Sequence, residues 1–434
     1  MSDYFYNSSE NTIFFYESLK TYQLNEIGIH VFEKYVKNVQ INEIIYSIAN
    51  EYEVDLAEAA QDVHALVAEF KQIGINPNVS IQNKSNKEDD FSLVSGCFHL
   101  HTPIVHIIQN CNSPCKMCDC WKTKEKNWHP AKELKTFFKK AKQLGAIAIM
   151  VSGGEPLLHP ELRQIITDLK EIGLRVMLNT NALLLHKNLW IADLNLERLV
   201  VSMDGYNPET YKSYRGLNGY QIVWDNLKLF QKKSPSTQIG IRTILNKDNY
   251  DKMELLFDAI EENGMHGVGL SPADVSSISF SRNDIDKEKE KFLISLLLPS
   301  EDQINDFLQA FTAESAYYKK IEAAAEKGLS SWKPYDFIRC MLFYLGILKG
   351  EEAMFANRPC FFPYTSLVLD YNGDLRNCFY SPAFGNLYNF ESIDWSFQNS
   401  MKGLKESGKC KSCRGNVFCG AQIPQSAKIP YADI

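Results

Sequence analysis

The chain has 434 residues, 45% hydrophobic and 23% charged, with a formal net charge of -7. That length allows about three domains at roughly 150 residues each, with a substantial buried core, and the mixture is that of an ordinary soluble globular protein. The negative balance gives no electrostatic reason to expect nucleic acid or an anionic membrane as partner. No run approaches the roughly 18 apolar residues that span a bilayer, and the opening MSDYFYNSSENT lacks the basic and apolar regions of a signal peptide. A cytoplasmic location is therefore expected, and in that reducing compartment eleven cysteines at short spacings suggest metal ligands or reactive thiols more than disulfides.

In chain order, NTIFFYES reads as a short strand rich in aromatic and branched residues, and YQLNEIGIHVFEKYV passes from strand into helix. Two further helices follow, INEIIYSIANEY and DLAEAAQDVHALVAEFKQIG, the second capped by Asp55 and stopped at Gly74. Val63, Leu66, Val67 and Phe70 share one face of it and form a core stripe. The polar stretch NPNVSIQNKSNKEDD then reads as a linker.

From about residue 100 to 273 the runs IVHII, AIAIMVS, RVMLNTN, RLVVSMDG, IGIRTIL and VGLSP alternate with helical stretches such as AKELKTFFKKAKQLG and PELRQIITDLKEIG. Six parallel strands with crossover helices follow, as an open sheet or as a barrel. Polar and glycine residues gather at the C-terminal ends of these strands, where parallel α/β folds build their sites. Residues 274 to 359 are mostly helical and charged, without evident chemistry. Residues 360 to 434 are short on regular pattern but hold five cysteines, which suggests metal stabilisation.

The stretch CNSPCKMC places Cys111, Cys115 and Cys118 within eight positions. Structural zinc wants four closed ligands, usually as two pairs, and three thiolates on one loop fit that poorly. A four-iron cube fits better, because three cysteines leave one iron open to a small molecule. The C-x3-C-x2-C spacing after the first strand resembles the radical S-adenosylmethionine (SAM) family. That resemblance implies a partial (β/α)6 TIM-like barrel with a SAM-binding 4Fe-4S cluster on Cys111, Cys115 and Cys118, which cleaves SAM to a 5'-deoxyadenosyl radical. It further implies that Gly153, Gly154 and Glu155 of SGGEP hold the SAM amino group, that Ser202 of VVSMDG contacts the ribose, and that Arg215 of YRG pairs with the SAM carboxylate. Asn181 of NTNA resembles the family's T-N-G, with Ala182 in place of the glycine, and Met117 stands at a position that packs near the nucleoside or within the loop. Cys120 falls outside the ligand register, and Cys97 and Cys340 read as buried structural residues.

Near the C-terminus Cys360 and Cys378 flank a hairpin with its turn at NGD, and Cys410 and Cys413 form a C-x2-C pair. Spacing alone suits zinc or an iron-sulfur cluster equally. After such a core the segment resembles the SPASM auxiliary-cluster domain or its shorter relative, Twitch. Full SPASM domains continue with two more cysteines, and this sequence has none after Cys419. One auxiliary iron-sulfur cluster on Cys360, Cys378, Cys410 and Cys413 is expected, with Cys419 as a rearranged ligand, part of a second cluster, or a redox-active thiol.

Strands followed by three helices in about 75 residues resemble the PqqD-like element, a winged-helix unit that binds the leader of a precursor peptide. The expected division is a recognition domain at 1–80, a linker at 81–99, the radical SAM core at 100–273, a helical connection at 274–359 and the auxiliary domain at 360–434. The resemblances together imply an enzyme that modifies a ribosomally made peptide, by a thioether or carbon-carbon crosslink or by epimerisation. Its partners would be the precursor peptide and a reductant such as flavodoxin or ferredoxin, without nucleic acid or membrane. The alternatives are a small-molecule radical SAM dehydrogenase with one auxiliary cluster and a non-catalytic iron-sulfur scaffold that binds peptide.

Overall fold

The computed structural model describes residues 4–7, 12–15, 21–75, 77, 100–124, 127–277, 281–282, 285–350, 362–396, 399–400 and 402. Cys97, Cys360, Cys410, Cys413 and Cys419, and most of the polar linker, lie outside them. The chain divides into two compact units, one holding the N-terminal residues to Cys97 and the other Phe98–Ala421.

The N-terminal unit has three antiparallel strands, β1 (Tyr4–Asn7), β2 (Thr12–Phe15) and β3 (Thr21–Gln23), in the order β1-β2-β3. The sequence reading expected two, because YFYN sits among polar residues; its pairing with β2 makes it a strand. Helices α1 (Glu26–Val36), α2 (Ile41–Glu51) and α3 (Leu56–Gln72) follow. Asp55 caps α3 as expected, its carboxylate accepting from the Ala57 amide at 2.8 Å. Val63, Val67 and Phe70 are buried with Ile13, Val31 and Phe32 in one apolar cluster, while Leu66 packs at its margin.

The second unit is built on parallel strands β4 (Ile104–His106), β5 (Ala148–Ser152), β6 (Arg175–Thr180), β7 (Arg198–Ser202), β8 (Gln238–Leu245) and β9 (Gly267–Pro272), each hydrogen-bonded to its neighbour in sequence. Helices α4 (Ala131–Gln143), α5 (Leu162–Glu171), α6 (Pro208–Arg215), α7 (Tyr220–Lys233) and α8 (Met253–Glu262) lie in the crossovers. Parallel strands in sequential order, joined by crossover segments, have the strand order of a partial barrel. Along β6 and β8 alternate residues, Val176, Leu178, Ile239 and Ile241, are buried against the helices, and their neighbours line the opposite face.

Residues 274 to 359 contain α9 (Lys287–Leu297), α10 (Glu301–Ala310), α11 (Ala316–Glu326) and α12 (Pro334–Lys349). Cys340 on α12 is fully buried, as a small hydrophobe would be. After the short α13 (Phe362–Thr365), strands β10 (Val368–Leu369), β11 (Asp374–Arg376) and β12 (Gly385–Asn386) form the expected hairpin and one further strand. β10 pairs in parallel with β4, so this segment extends the same sheet. Among the described residues no helix is long and apolar enough to cross a membrane.

Candidate functional site

The cysteine loop leaves β4 and is held from two sides. On one side the backbone of SGGEP continues the β5 pairing: Gly154 N–H donates to Ile108 O at 2.7 Å and Glu155 N–H to Asn110 O at 2.8 Å. Gly153 has φ +144°, and a Cβ there would lie 2.3 Å from Ile108 O; at Gly154 it would lie 2.1 Å from Gln109 O. The close approach these glycines permit is thus to the loop that carries the cysteines. On the other side the end of α6 takes Ser113 Oγ on Arg215 O at 3.2 Å and Lys116 N–H on Tyr214 O at 2.9 Å.

Gly154→Ala is therefore expected to displace the loop backbone and cost about 3 kcal/mol or more, since backbone cannot rotate aside as a side chain can. Chemical denaturation measures it. A stability equal to the parent would contradict the close approach.

Glu155 is fully buried at the end of β5. Its Oε1 accepts from Thr180 Oγ1 at 2.6 Å and Leu157 N–H at 3.0 Å, and its Oε2 accepts from Asn181 N–H at 2.7 Å. Burial raises its pKa despite these bonds. The carboxylate fixes the end of β6 and keeps lone-pair capacity for a further donor. Asn181 in turn donates through Nδ2 to Asn112 Oδ1 at 2.7 Å and faces the Cys111 sulfur at 3.9 Å. Ala182 adopts φ +59°, the left-handed conformation that the family's glycine would take without strain.

Arg215 is already paired. Its guanidinium meets Asp204 Oδ2 at 2.5 Å and donates through Nη1 to the Cys115 sulfur at 3.4 Å. Burial alone would lower its pKa, and the Asp204 carboxylate overrides this and raises it. Asp204, 1% exposed, also accepts from Ile244 N–H at 2.6 Å. The sequence reading quoted SMDG without giving this aspartate a role; a charged residue ending an apolar strand was the available signal. Ser202 ends β7, in register with Arg242 of β8. Met117 is buried, its sulfur accepting from Tyr214 Oη at 3.3 Å and its carbonyl from Arg282 Nε at 3.0 Å. Arg282, from the stretch that looked devoid of chemistry, thus secures the loop. Cys120 is buried, 3.0 Å from Ser281 Oγ.

The three thiols fit a cluster by their surroundings. Burial pushes Cys111 and Cys115 up, and for Cys118 a bond with Cys120 comes first and burial second. Such thiols become thiolates only against a positive partner. Ser113 Oγ at 3.3 Å and Arg215 point at the Cys115 sulfur, the hydrogen bonding that tunes iron-sulfur centres. Among the described residues no three His, Cys, Asp or Glu side chains converge on one metal ion, whereas a cube asks one thiolate of each iron. Of the auxiliary cysteines only Cys378 lies among the described residues, half-buried after β11.

The chain is 31% identical over 135 residues to an AdoMet-dependent heme synthase of Methanosarcina barkeri, covering 30% of this chain and 38% of that protein. It is 25% identical over 200 residues to a probable GTP 3',8-cyclase of Saccharolobus islandicus, covering 45% and 64%. The match thus spans less than two thirds of either relative. In structure it aligns with SuiB of Streptococcus suis bound to precursor peptide SuiA, at 16% identity and a TM-score of 0.49, over 96% of this chain and 93% of that one. Residues 11–75 match Coenzyme PQQ synthesis protein D (PqqD) and residues 105–260 match the Radical SAM superfamily. The chain therefore carries a Radical SAM superfamily domain behind a PqqD domain.

Proposed function

We propose that the chain is a radical SAM enzyme that modifies a peptide captured through its N-terminal unit. The observation that carries this reading is the presence of a PqqD domain in one chain with a radical SAM core. Cys111, Cys115 and Cys118 would hold a 4Fe-4S cluster that, when bound with SAM, supplies a 5'-deoxyadenosyl radical. Glu155, Ser202, Asn181 and Arg215 would order the SAM pocket, Arg215 acting either by turning from Asp204 to the SAM carboxylate or by fixing Cys115. Gly153 and Gly154 would hold the SAM amino group beside the loop, and Met117, within the loop, would pack near the nucleoside.

The leader would add to the outer edge of β3, which bonds only to β2 among the described strands. Charge supports a leader rich in lysine or arginine. Residues 21–75 hold nine carboxylates against three lysines, which is -6 of the chain's -7. Cys360, Cys378, Cys410 and Cys413 would hold one auxiliary cluster, and a flavodoxin or ferredoxin would supply electrons.

The test is an anaerobic incubation of reconstituted protein with SAM, reductant and a precursor peptide. Deoxyadenosine should form and the peptide's mass should change. Deoxyadenosine without any mass change would sink the peptide reading in favour of a small molecule, and no deoxyadenosine would sink the enzyme. Iron analysis should give about eight irons per chain, one cube in the core and one auxiliary. About twelve would require a second auxiliary cluster.

A further inference from the structure

The strand register sets four polar residues side by side on the sheet face turned away from the helices. Leu369 pairs with Val105, so Asp370 follows beside His106, and His106 pairs with Ser152. Asn179 on β6 donates through Nδ2 to Ser152 Oγ at 3.1 Å. Its Oδ1 is buried and has no partner among the described residues.

His106 Nδ1 lies 3.2 Å from Asp370 Oδ1, with the two side chains 18% and 22% exposed. An ionised carboxylate only accepts, so Nδ1–H is the donor to it, and the neutral ring in that tautomer has its lone pair on Nε2. Asp370 is itself held firmly. Its carbonyl accepts from His129 Nε2 at 2.8 Å, its carboxylate accepts from Tyr371 N–H at 3.0 Å, and Arg376 Nε stands 3.9 Å away. The His106 ring stacks on Phe379 with centroids 6.0 Å apart. Asp370, Arg376, His129 and Tyr371 are charged or titratable groups near this imidazole among the described residues.

This is the arrangement of a general base oriented by a carboxylate, five residues before the first cluster cysteine. Nothing in binding SAM or iron calls for it. We propose that His106 is the proton acceptor for the substrate peptide, positioned by Asp370, and that it takes the proton of a neutral side-chain thiol or hydroxyl; this rests on the peptide-modifying reading above. The step is a proton transfer alone: the X–H bond breaks, an Nε2–H bond forms, no electron moves with it, and the imidazolium faces Asp370. A heteroatom that is to bond to a neighbouring carbon must shed its proton, which gives the step its place.

The experiment compares product to deoxyadenosine in the reconstituted full chain. In His106→Ala that ratio should fall about 100-fold, the usual scale of a lost general base, and added imidazole should restore part of it. His106→Gln, which keeps a polar group toward Asp370, should show the same loss, and Asp370→Asn a smaller one. Independently of turnover, carbethoxylation of His106 by diethyl pyrocarbonate, mapped by mass spectrometry, should slow when precursor peptide is bound. A parental ratio in both His106 variants, or labelling indifferent to peptide, overturns the proposal alone. A parent that forms deoxyadenosine but no peptide product overturns the peptide reading and this proposal with it.

Discussion

Replacing Cys111, Cys115 and Cys118 together by alanine is expected to reduce deoxyadenosine formation to background and to lower bound iron from about eight to about four per chain. The three sulfurs share one loop, with Cys120 two residues beyond its end. Cys120 meets both Ser281 and Cys118, and alone cannot hold a cube. The loop's backbone ties, from Gly154, Glu155 and Lys116, involve none of the three thiols, so the fold should survive. Removing buried thiols whose ionised state is disfavoured should cost little stability in the metal-free chain. A thermal melt of the metal-free protein checks this, and iron analysis with chromatography checks the chemistry. Deoxyadenosine at the parental rate in the triple variant would end the radical SAM reading.

The six core strands were legible because each is a run of branched apolar residues bounded by polar or glycine positions, and the spacing of Cys111, Cys115 and Cys118 is a local pattern. What stayed hidden depends on distant partners. β10 has two residues, and its pairing with β4 joins positions far apart in the chain, which no periodicity reports. Glu155 and Arg215 were read as groups facing a ligand, yet the structure gives each an internal partner first: Thr180 and Asn181 for one, Asp204 for the other. The glycines of SGGEP were read as holding the SAM amino group, and a constraint that reading did not contain is that a Cβ at either would meet the Ile108 to Asn110 backbone. His106 went unremarked inside the apolar run IVHII, where a lone polar residue on an alternating strand marks the face that the helices do not cover.

Deleting residues 1 to 80 is expected to leave basal SAM cleavage within about twofold of the parent while lowering precursor modification about 100-fold at dilute peptide, the scale on which tethering raises effective concentration. Each unit has its own apolar cluster, one around Phe32 and Phe70 and the other around Phe137 and Leu178. The cysteine loop and all proposed SAM contacts lie between Cys111 and Arg215, within the second unit. The defect should therefore resemble a raised KM and shrink as peptide concentration rises, because the truncated chain lacks capture and retains chemistry. Titration of a labelled leader into the isolated unit should show binding that weakens steeply when ionic strength rises from about 0.1 M to about 1 M, as the Debye length falls from roughly 10 Å to roughly 3 Å. That follows from the nine carboxylates and three lysines of residues 21–75. Binding indifferent to salt would leave backbone pairing at β3 as the whole interaction and remove the case for a basic leader. Parental modification of dilute precursor by the truncated chain would remove the recognition role itself.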